Sequence, residues 1–544
     1  MKKLLLLLVL ASTVIVSGQN LQLQCDAMLQ EKYKPDEPGV AALIAKGNEV
    51  IYRKACGMAD LENKVALTPD HVFEIGSITK QFTAVAVLML MEEGKLSLED
   101  PVTKYIEKYP MHGHNITIHH LLTHTSGIKS YTGMESWTKL WRLDKTPLEM
   151  IDLFKNEPMD FAPGEKWMYN NSAYFMLGYV IEKASGMPYP EFLEKKIFSP
   201  LGMRNSYFGS MSRIIPSRAR PYQNDNGFKN AEYLSLTQAG TIMSTVDDLL
   251  TWNRAIHAGK LVKKETLQKA FTDYKLKNGK STHYGYGWEI NEINGSPTLE
   301  HGGGIFGYAT FGTYLPKEDV YVIVLTNRDD QDPSQIALSM AALSIGKPFP
   351  KNDGKFKLEE AYTKSLTGIY DFEESVSRVI TFENGQLYSQ RIGSSKLKIY
   401  PLDKTHFAFE NGDGVSMLEF IADKKSGATK EVLFKNRINV SKGLKTDKPI
   451  PVHMEVRVGE DILKRYVGVY EIQPGFNITI SLEEGHLMSQ ATGQQKFEIF
   501  PESNTRFFLK VVDAQIEFIA NSEKKFDSMM LYQGGGQISG KRKN

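Results

Sequence analysis

The sequence predicts a mixed α/β unit followed by two small β-rich modules, on three observations. Strand patterns stand at both ends of the region up to about residue 345 with helical patterns between them, so one sheet should join the two ends. Near KPFPKNDGKFK, residues 347–357, Pro and Lys break the periodicity, and beyond it short strands alternate with Gly, Asn and Asp turns. That later region repeats itself with an offset of 100 residues.

In chain order, residues 1–18 read as a secretory signal: Lys2 and Lys3, then a Leu/Val run, then a small-residue exit at Val16-Ser17-Gly18. This predicts an exported protein, periplasmic or secreted. The run is broken by Ser12 and Thr13, and no later stretch reaches the roughly 18 to 20 apolar residues of a membrane helix, so no membrane span is expected. In PGVAALIAKGNEVIYRKACGMAD, residues 38–60, two β-branched runs flank Gly47-Asn48, a hairpin signal. Helical spacing follows at residues 78–93, 116–123, 147–155, 172–184 and 246–257, and strand spacing returns at 284–291, 306–315 and 319–326. These elements define a first domain over residues 25–350.

The repeat is read from matched pieces. GIYDFEES at 368 answers GVYEIQPG at 468, ITFENGQLYSQ at 380 answers ISLEEGHLMSQ at 480, and Pro401 answers Pro501. Each copy is a small barrel or sandwich, residues 358–442 and 455–538, joined through the Lys/Pro-rich KGLKTDKPIP. Neither copy carries a Ser/His/Asp or metal-ligand constellation, which assigns them an accessory role.

Charge narrows the partners. With 65 basic and 64 acidic residues there is no electrostatic footprint for nucleic acid or an anionic membrane. Cys25 and Cys56 are the only cysteines, too few for a disulfide scaffold, and they are either a pair or two separate thiols. Five histidines crowd MHGHNITIHHLLTHTSG, but no His-Glu-x-x-His pattern is present, so no metal site is assigned.

Chemistry concentrates in FEIGSITKQFTAVAVLMLMEEGKL, residues 73–96. Ser77 and Lys80, three apart, share one helix face at its start, and the run from Thr83 to Met91 is apolar all round, as in a central buried helix. Burial disfavours the charged ammonium, so Lys80 is placed to be a neutral amine that takes the proton of an otherwise weak serine nucleophile. Ser-x-x-Lys spacing alone proves little, since it recurs at Ser126/Lys129, Ser136/Lys139, Ser344/Lys347, Ser395/Lys398 and Ser522/Lys525. Only Ser77 precedes a long apolar helix. Tyr169-Asn170-Asn171 stands at the lip of the next helix, after a Pro-Gly turn. LEHGGGIFGYATFGTYLP places His301 and Gly302 to Gly304 before strand patterns, where backbone N–H groups can face an oxyanion.

Ser77-x-x-Lys80, Tyr169-x-Asn171 and His301-x-Gly303, in that order, resemble the serine β-lactamase-like hydrolases, the superfamily of class C β-lactamases, D-alanyl-D-alanine carboxypeptidases, D-aminopeptidases and related esterases. HLLTHTSGI, SPLGM, STVDDLLTW and LTN look like further signatures of that family, and the resemblance covers roughly residues 30–345. It implies an antiparallel sheet flanked by helices with an all-helical region beside it, and no cofactor. It also implies that Ser77 is acylated, that Lys80 and Tyr169 share its proton, and that Asn171 orients substrate and Lys80. His301 would hold a substrate carboxylate or assist at the strand edge, and the N–H groups of Ser77 and Gly304, beside Gly303, would form the oxyanion hole. Two departures stand out: Asn170 where many relatives have Ser, and His301 where β-lactamases usually carry Lys. A histidine is charged only part of the time near neutral pH. The expectation is therefore a hydrolase of an amide or ester, with a D-amino-acid peptide such as a peptidoglycan stem as the leading substrate. A carboxylesterase, a β-lactamase and a penicillin-binding scaffold without turnover are the alternatives.

Overall fold

The hairpin signalled by Gly47-Asn48 closes between strands β1 (Val40–Lys46) and β2 (Glu49–Cys56), with Lys46 opposite Glu49 and Gly47 at a φ of 56°. In the computed structural model, residues 20–209, 213–231, 240–350, 356–373, 376–392, 394–410, 414–450, 455–473, 475–533 and 536–543 are described. The proposed signal segment, 1–18, lies outside them. The chain divides into two compact units after Phe349. Among the described residues no helix is long and apolar enough to cross a membrane.

In the first unit, β1 lies between β2 and strands from the far end of the domain. The others are β3 (Glu289–Ile293), β4 (Ser296–Ile305), β5 (Tyr308–Leu315) and β6 (Val320–Thr326), and the order is β3-β4-β5-β6-β1-β2, antiparallel throughout. The register runs from Val40 opposite Thr326 to Lys46 opposite Val320, so the two ends of the domain meet in one sheet. Every residue of β6 and nearly every residue of β1 is buried, because helices Val246–His257 and Ser334–Ser344 both pack on these central strands. The spacing at 284–291 predicts a longer β3 than is found: it begins at Glu289, and Tyr284 makes only an isolated bridge to it.

Helix Thr79–Glu92 is buried from Thr79 to Leu90, as its all-round apolar sequence requires. It packs against helix Asn171–Ser185, which Gly186 terminates in the left-handed conformation at a φ of 73°. Around them lie the helical segments Ile118–Leu122 and Pro147–Phe154, the second held by a Thr146/Glu149 capping box. Cys25 is buried, Cys56 ends β2 with its thiol toward the Tyr33 carbonyl, and the two are unpaired.

In the second unit both repeats are closed eight-stranded barrels, one from Gly368–Phe372 to Asn439–Lys445 and the other from Gly468–Gln473 to Gly536–Arg542. First and last strands pair, Tyr370 with Lys445 and Tyr470 with Arg542. Closure removes the exposed edges that a sandwich of this size would leave. The duplication extends to single bonds: the Tyr370 hydroxyl donates to the Leu366 carbonyl at 2.8 Å, and the Tyr470 hydroxyl to that of Tyr466 at 2.9 Å.

Candidate active site

Ser77 sits in a single 3-10 turn, Gly76–Ile78, that leads into the Thr79 helix. Gly76 has a φ of 53°, and a Cβ there would stand 2.7 Å from the Gly304 nitrogen. A side chain at Gly303 would overlap the carbonyl oxygen of Ile75. The glycines on both sides thus let strand β4 press against the turn that carries Ser77, bringing the Gly304 N–H within reach of it.

Lys80 is fully buried, with its Nζ 2.9 Å from Ser77 Oγ and 2.9 Å from Asn171 Oδ1. The Tyr169 ring centre lies 4.8 Å from the same nitrogen. Burial is the cause that lowers the Lys80 pKa to about 7, which leaves a large fraction as free amine at neutral pH. Asn171 is held in place for this contact: its Nδ2 donates to Thr132 Oγ1 at 3.2 Å and its backbone N–H to Ser130 Oγ at 3.3 Å. The Tyr169 hydroxyl is buried without a hydrogen-bond partner. Burial pushes its pKa well up, and Ser77 is near enough to draw it partly back without reaching hydrogen-bond geometry.

Asn170, the departure in the second motif, has a local task. Its side chain caps the Asn171 helix by accepting from the Ala173 N–H at 3.0 Å, and it donates to the Ile128 carbonyl.

His301 is buried on β4. Its Nδ1 lies 2.6 Å from the Gly302 carbonyl oxygen, which can only accept, so Nδ1 carries the proton and Nε2 accepts from the Tyr284 hydroxyl at 2.9 Å. Burial and then the Lys80 charge lower its pKa to about 3. The imidazole is therefore neutral with both nitrogens engaged inside the protein, and it has no charge with which to hold a carboxylate.

Sequence reasoning missed two members of this environment. His124, within HLLTHTSGI, is fully buried and accepts the Asn170 N–H on Nδ1 at 3.0 Å. Its ring lies 4.5 Å from that of Tyr169, 4.9 Å from Tyr174 and 4.8 Å from Tyr284, centre to centre. Tyr284 is 1% exposed, turned into the protein, and lies ahead of the strand that begins at Glu289. The signal was in YGYGW: Gly287 has a φ of 80°, and a Cβ there would stand 2.7 Å from the Lys80 carbonyl oxygen. Two other histidines of the crowded segment hold structure, His120 Nδ1 in the Thr117 capping box and His119 Nδ1 2.9 Å from the Tyr286 hydroxyl.

A buried amine beside a serine, an amide oxygen on that amine, a phenol over it and a glycine strand edge make a site for acyl transfer to serine. Comparison with known proteins agrees. The β-lactamase family model matches residues 26–347, and a domain of unknown function (DUF3471) matches 453–542. The chain is 29% identical over 394 residues to penicillin-binding protein 4* of Bacillus subtilis (strain 168), covering 67% of this chain and 86% of that protein. The octameric penicillin-binding protein homologue from Pyrococcus abyssi is similar in structure at a TM-score of 0.56 and 28% identity, over 77% of this chain and 99% of that one. A D-stereospecific amidohydrolase from Streptomyces sp. superposes at a TM-score of 0.51 and 26% identity, over 61% of this chain and 98% of that one. With a family match across more than half of its length, the chain belongs to the β-lactamase family and is one of its serine hydrolases.

Proposed function

We propose that this hydrolase is exported and cleaves the amide bond of a D-amino-acid peptide, of the peptidoglycan-stem type, through an acyl-enzyme on Ser77. The observation that carries the reading is the 2.9 Å contact between Ser77 Oγ and a Lys80 amine whose pKa burial has brought to about 7. In the neutral amine the hydrogen bond runs from the serine O–H to Nζ. As Oγ attacks the carbonyl carbon, its proton passes to Lys80, and the oxyanion is taken by the N–H groups of Ser77 and Gly304. Tyr169 relays a proton to the leaving nitrogen as the C–N bond breaks. Water then adds to the ester, loses a proton to the same base, and the acid leaves as Ser77 regains its hydrogen. Asn171 orients Lys80 and the substrate amide, and Gly303 keeps the strand edge close. His301 acts as a neutral support for the strand through Tyr284.

Similarity to the Streptomyces D-stereospecific amidohydrolase and to a penicillin-binding protein favours the D-peptide. A second reading, carboxylesterase, draws on His301: without a fixed cation in the third motif, a substrate lacking a carboxylate is accommodated as well. The same feature disfavours a dedicated β-lactamase. The test is mass spectrometry and turnover with a fluorescent penicillin, nitrophenyl esters and D-Ala-D-Ala peptides, on wild type and Ser77→Ala. A slowly released penicillin adduct with D-peptide turnover, both lost in Ser77→Ala, is expected. Ester turnover alone selects the esterase and rapid β-lactam hydrolysis the β-lactamase. The absence of any adduct or turnover leaves a scaffold.

A further inference from the structure

The two barrels share a fold but differ at one end. In the first, Arg378 precedes Ile380 by two residues on the same strand and therefore shares its inward face. Ile380 is fully buried in the barrel core and pairs with Ser389, which pairs with Leu397. Arg378 pairs directly with Arg391. The Arg378 Nη1 donates to Ser389 Oγ at 2.9 Å, and its guanidinium lies over the rings of Phe434 at 5.0 Å and Phe409 at 5.5 Å. Leu397 is on this inner wall yet 44% exposed, so water reaches the interior here.

Two like charges facing each other across a strand pair repel, and burial makes the inner one costlier. Burial and then Arg391 bring the Arg378 pKa down to about 10. Among the described residues no carboxylate pairs with either guanidinium; the bonds of Arg378 are the Ser389 hydroxyl and the two rings. The fold itself has no need of this arrangement. In the second barrel Ile478 and Ala491 form the equivalent pair, next to Ile480 and Ser489, which repeat Ile380 and Ser389. Leu509 stands where the first copy has Phe409.

We propose that the open end of the first barrel binds an amphipathic anion, one carboxylate or phosphate group on an apolar body. The head would lie between Arg378 and Arg391, within reach of the Ser389 hydroxyl, as planar guanidinium forks favour for such oxygens. The tail would lie against Phe409, Phe434 and Leu397. The proposal stands whatever bond Ser77 cleaves.

The test uses the full chain with decanoate and decyl phosphate as probes, decyltrimethylammonium as the charge control and acetate as the head alone, read by calorimetry and thermal shift. The variants are Arg378→Ile and Arg391→Ala, each the residue of the other copy and hence suited to the fold. Saturable binding of at least one decyl anion to wild type is expected, weakened at least tenfold in either variant and lost in the double variant, with no binding of acetate at the same concentrations. Which anion binds more tightly identifies the head group. The unliganded double variant should unfold no earlier than wild type, because relief of the two facing like charges and of one buried guanidinium offsets the lost Ser389 hydrogen bond and ring contacts. Binding of neither anion by wild type would overturn the proposal. So would undiminished binding by a folded double variant, or equal binding of decyltrimethylammonium.

Discussion

Replacing Lys80 by Met should abolish turnover and at the same time change how stability depends on pH. A base whose folded pKa is depressed binds fewer protons than in the unfolded chain, so its contribution to stability rises with pH between the folded and unfolded values. Lys80 moves from 10.5 to about 7 on folding. At about 1.36 kcal/mol per unit, keeping it costs on the order of 4 to 5 kcal/mol at pH 7. Between pH 7 and pH 9 that cost shrinks by about 2 kcal/mol. Two hydrogen bonds, to Ser77 and Asn171, offset it by about 1 kcal/mol each. Lys80→Met, of similar length and apolar, should therefore be more stable than wild type at pH 7 by about 2 kcal/mol and lose that advantage by pH 9. The assay is denaturant unfolding of both proteins at the two pH values, followed through the Trp residues of the first unit. Because the other titrating groups are common to both chains, the difference isolates Lys80. A difference that stays constant within about 0.5 kcal/mol from pH 7 to pH 9 would refute a desolvated lysine.

The same pKa predicts that kcat/KM rises with pH through about 7 and then levels, whereas a rise centred near 10 would mean an ordinary solvated lysine. Gly303→Ala forces a methyl onto the Ile75 carbonyl oxygen. It should lower unfolding free energy by about 2 kcal/mol and reduce acylation of Ser77 by a fluorescent penicillin, a loss that Gly303→Ser would share. Asn170→Ala removes the cap of the Asn171 helix and should cost about 1 to 2 kcal/mol, with Asn170→Ser recovering most of it because a serine also caps; equal losses in both would show that the Ile128 contact dominates. Tyr284→Phe deletes the donor to His301 Nε2. It should lower kcat about tenfold with little change in KM if His301 supports the strand edge, and change neither if the bond is only structural.

The sequence carries the candidate site plainly where local rules and burial agree. Ser77 and Lys80 stand out because the helix behind them is apolar on every side and because Tyr169-x-Asn171 and His301-x-Gly303 follow them in order. The hairpin at Gly47 and the two β-rich repeats are legible from turn residues and alternation close in the chain, whereas the choice between barrel and sandwich stays open in the sequence, because closure of each repeat rests on pairing Tyr370 with Lys445 and Tyr470 with Arg542. What stayed hidden depends on contacts between distant segments. YGYGW looks like a strand because its aromatics alternate, but the glycines serve the approach of this segment to the Lys80 backbone, and Tyr284 is spent on His301. Likewise His301 suggests a switchable charge from its residue type, while its burial and the nearby Lys80 charge keep it neutral.

The seating of β1 between β2 and β6 also bears on how the chain folds. Val40 meets Thr326, so the β1–β2 hairpin, synthesised long before β6, has its best-buried strand without a neighbour on one side until almost the whole domain has been made. Pairing over such separations is slow, since loop closure must precede the contacts that reward it. Until then β1, apolar along nearly its full length, is an open edge able to recruit another chain. Expression of the first 120 or so residues alone should therefore yield aggregate. Extending the fragment through Thr326 supplies β6, and with it the partner that turns that edge into the centre of the sheet.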